Sequence, residues 1–244
     1  MTLRIVLAVL VMGTMVRVPA SAGPQQGGRG AGGAGAVAAG QGEARGGGPA
    51  TAPALLFREV WKKPYQGEPT AENRDIIRRV SPQAVVSANL EIKTYGPDAR
   101  NILVTEHEDR EDIWTGMANS PVAVTVRDKG KYFDLSGRGR IRWIVRSNAL
   151  HRVHPVLKLA DGRLVVGDGF DTGGEFVQTE VALSTVRWFL LDAQKIATTT
   201  EVVKPDLAKI DEIGFADLMP GGGHNAAGWI NVSHFELYGK PVPR

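Results

Sequence analysis

The sequence predicts an all-β fold, a sandwich of two sheets, for the part of the chain that follows residue 54. Apolar and polar residues alternate there with a period of two, in short segments separated by glycine, aspartate, asparagine and proline. Asp161-Gly162 stands between two such segments, which is typical of a tight β-hairpin. One short helical turn is expected within Thr70–Arg79.

Alternation also predicts where each strand lies and which side chains share a face. In Gly139–Ser147, the apolar Ile141, Trp143 and Val145 fall on one face, so the indole of Trp143 is expected in the core. The predicted strands are Leu55–Trp61, Ala88–Tyr95, Asn101–His107, Pro121–Asp128, Gly139–Ser147, His154–Ala160, Arg163–Asp168, Val181–Asp192, Ile210–Leu218 and Trp229–Gly239.

The N-terminus has the features of a signal peptide over residues 1–22. Arg4 supplies the positive charge expected at the beginning of a signal peptide. The apolar run Ile5–Val16 has about 12 residues, fewer than the roughly 20 that span a bilayer. Ala20-Ser21-Ala22 matches a small-x-small cleavage site. An uncleaved anchor is the alternative. We expect a periplasmic or secreted protein with no transmembrane segment after cleavage.

Residues 23–54 are predicted to form a disordered, Gly/Ala-rich linker. The segment contains GGRGAGGAGA and ARGGGPATAP and has no large apolar side chains to offset its ordering entropy. Glycine does not recur at every third position, which excludes a collagen helix. The remaining residues, 55–244, are numerous enough for one hydrophobic core.

Composition excludes several function classes. The chain has no cysteine, so it has neither disulfides nor thiol chemistry. The chain has 29 basic and 26 acidic residues, and four arginines and one glutamate of these precede residue 55. The domain that follows therefore has 25 basic and 25 acidic residues. A formally neutral domain lacks the basic excess of nucleic-acid-binding proteins, and we expect no nucleic-acid partner.

Two segments resemble a known superfamily. DLSGRGRIRWIVRSNALHRVHPVLKLADGRLVVGD is similar to the middle of galactose-binding-like β-jelly-roll domains, and IDEIGFADLMPGGGHNAAGWINVSHFELYGKPV resembles their closing segment, with its final Glu236-Leu237-Tyr238-Gly239 turn. The resemblance covers about Ala84–Val242. It implies a jelly-roll sandwich of the carbohydrate-binding-module type. It also implies that a structural calcium can be present, although the chain requires no cofactor by any motif of its own.

Candidate ligand-binding residues follow from face and loop position. Arg142, Lys158 and Arg187 each lie opposite the apolar face of their own strand, and they would form one polar sheet surface if those strands were neighbours. His224 and Asn225, in the glycine-rich PGGGHNAAGW, are suited to hydrogen-bond sugar hydroxyls. Aromatic residues near strand ends or loops are candidates for stacking on a pyranose, namely Trp61, Tyr65, Trp114 and Trp229.

Carboxylates offer two further possibilities. Glu106, Glu108 and Glu111, in EHEDRED, have the spacing of a strand-borne catalytic set that resembles the one in laminarinase-type jelly-roll hydrolases. The residues between them are charged, however, which favours a solvated loop. Asp161, Asp168 and Asp171 could supply oxygen ligands to Ca²⁺, but their spacing fits no calcium-loop motif.

These observations favour an exported, non-catalytic carbohydrate-binding module with a glycan or another polar small ligand as its partner. Two alternatives stay open. One is a glycan-degrading enzyme, a hydrolase or lyase, on the same fold, and the other is a structural or adhesive envelope protein. Carboxylates converging in a cleft would favour the enzyme, and exposed aromatics along a shallow groove would favour the binding module.

The signal-peptide prediction can be tested directly. Because cleavage is expected after Ala22, mass spectrometry of protein expressed with its native N-terminus in a bacterial host should show a chain that begins at Gly23. A chain that retains Met1 and sediments with membranes would contradict the prediction.

Overall fold

Period-two alternation produces a nearly all-β domain in the computed structural model, which describes residues 52–107, 109–222 and 228–244. One short helix, α1 (Arg74–Ile77), and three single 3-10 turns accompany the strands. The strands are β1 (Ala54–Glu59), β2 (Leu90–Tyr95), β3 (Leu103–His107), β4 (Arg110–Trp114), β5 (Val122–Asp128), β6 (Lys131–Asp134), β7 (Arg140–Asn148), β8 (His154–Leu159), β9 (Leu164–Gly167), β10 (Val177–Ala182), β11 (Trp188–Asp192), β12 (Ala197–Val203), β13 (Ile210–Asp217) and β14 (Trp229–Pro243).

The first layer, here called the front sheet, is built around β14. Its antiparallel order is β10–β7–β14, and the far side of β14 is shared by two strands. β4 pairs with Asn231 and Val232, while β1 pairs with Phe235–Gly239 beyond an irregularity in the register of β14. β3 completes this sheet outside β4.

The second layer, here called the back sheet, has the antiparallel order β2–β5–β13–β8–β9–β11–β12. The short strand β6 connects the layers. Phe133 of β6 pairs with Ile210 of β13, and the whole of β6 also pairs with Lys240–Pro243, the end of β14. β14 therefore begins in the front sheet and ends beside the back sheet.

The hydrophobic core lies between the two sheets. Trp143 and Phe235, on neighbouring strands of the front sheet, stack with ring centroids 5.8 Å apart, and Phe57 meets Phe235 edge-on at 5.6 Å. Leu157 and Ile213 of the back sheet are buried in the same cluster. In β7 the apolar positions are buried and the alternate positions are only partly covered, so the predicted two faces of this strand are confirmed.

The all-β sandwich that the sequence predicts is confirmed, with local corrections. Val181–Asp192 is two strands, β10 and β11, separated by the 3-10 turn Leu183–Thr185. β4, β6 and β12 were not predicted. The acidic run, interpreted as a solvated loop, contributes the last two residues of β3 and the first three of β4, which pair with each other. The predicted signal peptide and nearly all of the predicted linker lie outside the described residues.

No helix among residues 52–107, 109–222 and 228–244 is both long and apolar enough to cross a membrane.

The stacked pair at the centre of the core leads to a stability prediction. Trp143 is fully buried, and its indole N–H finds no hydrogen-bond partner among the described residues. Trp143→Ala should lower the free energy of unfolding by about 3–5 kcal/mol, because it removes a large packed ring. Trp143→Phe keeps an aromatic ring and removes the unpaired donor, so it should cost clearly less. Equal losses in urea denaturation would contradict this account.

Candidate functional site

Side chains on the outer face of the front sheet form a groove that crosses its strands. The main hollow, about 320 Å³, continues past His107 into a second one of about 260 Å³. Together they are called the front groove. Its lining side chains are Arg78, Leu103, Thr105, Glu106, His107, Arg110, Trp114, Arg146, Glu175, Phe176 and Trp229.

Strand register places the central residues of the front groove in one row. Asn231 of β14 is directly opposite Trp114 of β4 on one side and Arg146 of β7 on the other. Residues facing each other across antiparallel strands project from the same face of a sheet. Trp229 lies two positions before Asn231 in the same strand and thus shares this face. Pairing alone brings the two indoles and a guanidinium together.

A fully buried carboxylate supports this arrangement from below. Asp112 accepts hydrogen bonds from the Thr105 hydroxyl at 2.6 Å and the Asn231 side-chain amide at 2.6 Å. Nδ1 of His107 is 2.7 Å from the second oxygen of Asp112, and because a carboxylate only accepts, this nitrogen carries the proton. Asp112 of β4 thereby fixes side chains of the two neighbouring strands, β3 and β14.

Phe176 closes one end of the front groove and holds two cations in place. Its ring meets His107 edge-on at 5.6 Å, and the guanidinium groups of Arg110 and Arg146 lie 5.4 and 5.5 Å from its centroid. Arg146 also lies 5.7 Å from the ring of Trp229. Its Nε donates to the carbonyl of Gly174 at 2.6 Å, which fixes the direction of the planar group.

The chemistry of the front groove suits a ligand with one apolar face and a polar edge. Trp114 and Trp229 are each half-buried, so their rings are anchored in the sheet while part of each surface remains accessible. Indole faces pack well against the C–H face of a pyranose ring. The surrounding guanidinium, imidazole and carboxylate groups can hydrogen-bond hydroxyl or charged substituents of that ring.

Arg142, a predicted ligand-binding residue, lies on the same outer face but outside the front groove. Its guanidinium donates to Glu180 at 3.1 and 3.3 Å and to the Tyr238 hydroxyl at 3.3 Å. The hydrogen bond to Glu180 is the main cause that raises the pKa of Arg142. Burial favours a higher pKa for the nearby Glu236, but hydrogen bonds from Tyr238 and Arg58 outweigh it and hold this pKa below its usual value.

Lys158, the second predicted ligand-binding residue, projects from the opposite side of the sandwich. It alternates in β8 with the core residues Leu157 and Leu159, and it donates to the fully buried Glu212 at 3.0 Å. Glu212 also accepts from Thr125 at 2.6 Å and from Tyr95 at 2.7 Å. Burial, followed by this hydrogen bond, raises the pKa of Tyr95.

Arg187, the third, precedes β11 of the back sheet and binds Asp168 through two hydrogen bonds of 2.8 and 3.1 Å. The prediction that Arg142, Lys158 and Arg187 form one polar surface is therefore wrong. Alternation located each side chain opposite its own apolar neighbours, but Arg142 belongs to the front sheet, whereas Lys158 belongs to the back sheet and Arg187 directly precedes its strand β11. The two outward faces of a sandwich point in opposite directions.

The other predicted site residues have different outcomes. Trp229 and Trp114 lie in the front groove. Trp61 is buried and donates from its indole to the carbonyl of Val232 at 2.7 Å, so the expectation that it is a stacking platform is wrong. His224 and Asn225 lie outside the described residues, and their assignment as ligand-binding residues stays a prediction.

The proposed carboxylate sites are only partly formed. Glu106 and Glu111 face each other across β3 and β4, and Glu106 binds Lys63 at 2.6 Å, whereas Glu108 lies outside the described residues. Within the described ranges, no three histidine, aspartate or glutamate side chains converge in a way that could hold a metal ion. Two of the three aspartates considered for calcium have arginine partners: Asp161 binds Arg163, and Asp168 binds Arg187.

Comparison with known proteins gives only remote likenesses. No model of a protein family matches this chain, and no curated protein sequence does. Among solved structures, the family 11 carbohydrate-binding module from Clostridium thermocellum in complex with a β-1,3-1,4-mixed-linked tetrasaccharide is similar at 13% identity. The match covers 68% of this chain and 97% of the module, with a TM-score of 0.39.

Two further solved structures are similar at comparable levels. Arcelin-5, a lectin-like defence protein from Phaseolus vulgaris, is 8% identical over 65% of this chain and 95% of its own, with a TM-score of 0.34. The agarase AgWH50C is 12% identical over 64% of this chain but only 23% of its own, with a TM-score of 0.38. The β-sandwich fold is therefore assigned from the strand pairing of this chain, and its function is proposed from the side chains of the front groove.

Sequence reasoning missed Arg78, His107, Arg146 and Phe176 as members of the front groove. Part of the signal was available: Arg146 shares the outer face of β7 with Arg142, and His107 is two positions from Thr105 in an alternating strand. Interpreting EHEDRED as a loop removed β4, the strand that connects β3 to β14. Without it, no row across the front sheet could be drawn.

The contacts of Lys158 predict a structural role. Glu212→Ala should remove the buried carboxylate that accepts hydrogen bonds from Lys158, Tyr95 and Thr125. Because these donors lose their shared partner, the free energy of unfolding should fall by about 3 kcal/mol or more. Arg187→Ala is the control. The Arg187–Asp168 pair is largely exposed, with 70% of the arginine side chain accessible, so its loss should leave the thermal midpoint unchanged. Similar midpoints for both variants in calorimetry would contradict this assignment.

Proposed function

We propose that this protein is an exported, non-catalytic glycan-binding module and that the front groove is its binding site. The observation that carries the proposal is the pair of half-buried indoles, Trp114 and Trp229, beside hydrogen-bonding side chains from neighbouring strands. Export rests on the signal peptide predicted for residues 1–22, and it would bring the domain to extracellular or periplasmic polysaccharide.

Binding would follow from the geometry of the front groove. A pyranose ring placed over Trp229 or Trp114 covers apolar surface on both partners, which gives the favourable free energy. Thr105, His107 and the guanidinium groups then meet the ring's equatorial substituents. Because the sheet and the buried Asp112 hold these groups in place before binding, little conformational entropy is lost on association.

Removing either indole tests the proposal. Trp229→Ala and Trp114→Ala should each weaken glycan affinity at least tenfold, equivalent to about 1.4 kcal/mol, because a stacking platform is lost. The measurement is a glycan-array screen of the full chain, followed by calorimetric titration of the variants with the best ligand.

Tyr132→Ala is the matched control, since this partly buried ring of β6 stacks under Arg244 at 4.2 Å, away from the front groove. It should bind like the unaltered protein. Unchanged affinity in both tryptophan variants would show that the binding site lies elsewhere. If the protein bound no glycan on the array, the proposed function would be wrong.

One observation favours a hydrolase as a second candidate. Glu106 lines the front groove, and its cross-strand neighbour Glu111 brings a second carboxylate next to it. Reducing-sugar release should therefore be measured with the ligand that the array identifies. If sugar is released and Glu106→Gln abolishes the release, the protein is an enzyme and not a binding module. If no sugar is released, the result supports a non-catalytic domain.

A further inference from the structure

Arginine side chains in this domain are mostly neutralised by carboxylates, and two in the front groove are not. Arg142 binds Glu180, Arg187 binds Asp168, and Arg58 binds Glu236. Among the described residues, by contrast, no carboxylate lies within ion-pair distance of Arg78 or Arg146. Both are partly covered rather than fully solvated. A partly desolvated cation without a counter-ion is a favourable place for an anion.

The two unpaired arginines adjoin the same indole. Arg78 lines the main hollow together with Trp229, and Arg146 lies 5.7 Å from the centroid of that ring. The backbone at Arg78 is fixed, because its carbonyl accepts from the amide of Val104 at 2.7 Å. Arg146 has its Nε committed to Gly174, which leaves its two terminal nitrogens as donors. A ring on Trp229 would thus lie near both cations.

The acidic groups of the front groove are largely committed to other partners. Glu106 is bound by Lys63, Asp112 is buried beneath three donors, and Asp109 pairs with Arg110 at 2.8 Å. Glu175, exposed at the rim of the second hollow, is the remaining carboxylate in the lining. Arg78 and Arg146 are therefore the cations that adjoin Trp229, while Glu175 lies in the second hollow that Arg146 also lines.

We infer that the front groove selects an anionic glycan, whose carboxylate or sulfate group binds the guanidinium groups of Arg78 and Arg146 while its ring packs on Trp229. This inference rests on the proposed function and adds the class of ligand. The planar fork of arginine donates two parallel hydrogen bonds to either anion, so a uronic acid and a sulfate ester share the same chemistry.

Stacking of Arg146 on Phe176 and Trp229 does not use up its capacity for an anion. Cation–π contacts engage the face of the guanidinium, whereas its N–H donors lie in the plane and point from its edge. The two rings restrict the rotamers of Arg146 and so lower the entropy lost when an anion binds. A merely structural role for the stack would give no preference between charged and neutral sugars.

The test is calorimetric titration of the full chain with three hexasaccharides: an oligogalacturonate, a carrageenan oligosaccharide and cellohexaose. At least one anionic ligand should bind ten times more tightly than cellohexaose, with affinity that falls as salt rises. The oligogalacturonate carries carboxylates and the carrageenan oligosaccharide carries sulfates, so comparing their affinities shows which anion the site prefers.

Arg146→Gln and Arg78→Gln should each reduce anionic affinity about tenfold and reduce cellohexaose affinity by a clearly smaller factor, because a neutral ring loses a hydrogen bond but no charge pairing. Arg163→Gln is the matched control, because the partner of this exposed arginine is Asp161, two residues away in its own hairpin, and the substitution should have no effect. Thermal midpoints check that all variants are folded.

Tighter binding of cellohexaose than of both anionic ligands would overturn the inference and leave the proposed function intact. An equal loss of neutral and anionic affinity in Arg146→Gln would also overturn it, since the side chain would then act only by shaping the front groove. Absence of binding to all three ligands, and to every glycan on the array, would defeat the proposed function together with the inference.

Discussion

Backbone pairing of β14 is the constraint on which the rest of the domain depends. This 15-residue strand pairs with β7 along one side and with β4, β1 and β6 in turn along the other. The register irregularity between Val232 and Phe235 marks the change from β4 to β1. A change of register by one residue would exchange the core-facing Ile230 and Val232 with the groove-facing Trp229 and Asn231. Core packing and the lining of the front groove are therefore specified by the same hydrogen bonds.

The two outward faces of the sandwich use buried carboxylates in different ways. On the back sheet, Glu212 accepts hydrogen bonds from Lys158, Tyr95 and Thr125, and the charge of the lysine neutralises that of the buried carboxylate. On the front sheet, Asp112 is met by neutral donors and one imidazole, so the neighbouring guanidinium groups are not drawn into the network. The two faces thus differ in which donors neutralise the buried acid.

How much could be predicted from the sequence depended on whether the information was local. Alternation is local, and it located most of the strands and the two faces of β7 correctly. Strand neighbours are not local, so the surface predicted for Arg142, Lys158 and Arg187 joined residues of different sheets. The missed strand β4 shows the same limit: REDIW reads as charged in isolation, yet Asp112 is fully buried because Thr105, His107 and Asn231 come from elsewhere in the chain. Trp229, at a strand end, needed no long-range information.

The front groove consists of two hollows that meet at His107 along the surface of a sheet. One sugar ring fills about the space over a single indole, so the remaining length is available to its neighbours in a polymer. If the front groove binds a polysaccharide as proposed, it senses the degree of polymerisation, because each additional unit that reaches the second hollow adds contacts without a new cost in translational freedom. Short oligosaccharides released during breakdown of a polysaccharide would then dissociate, and the intact chain would retain the protein.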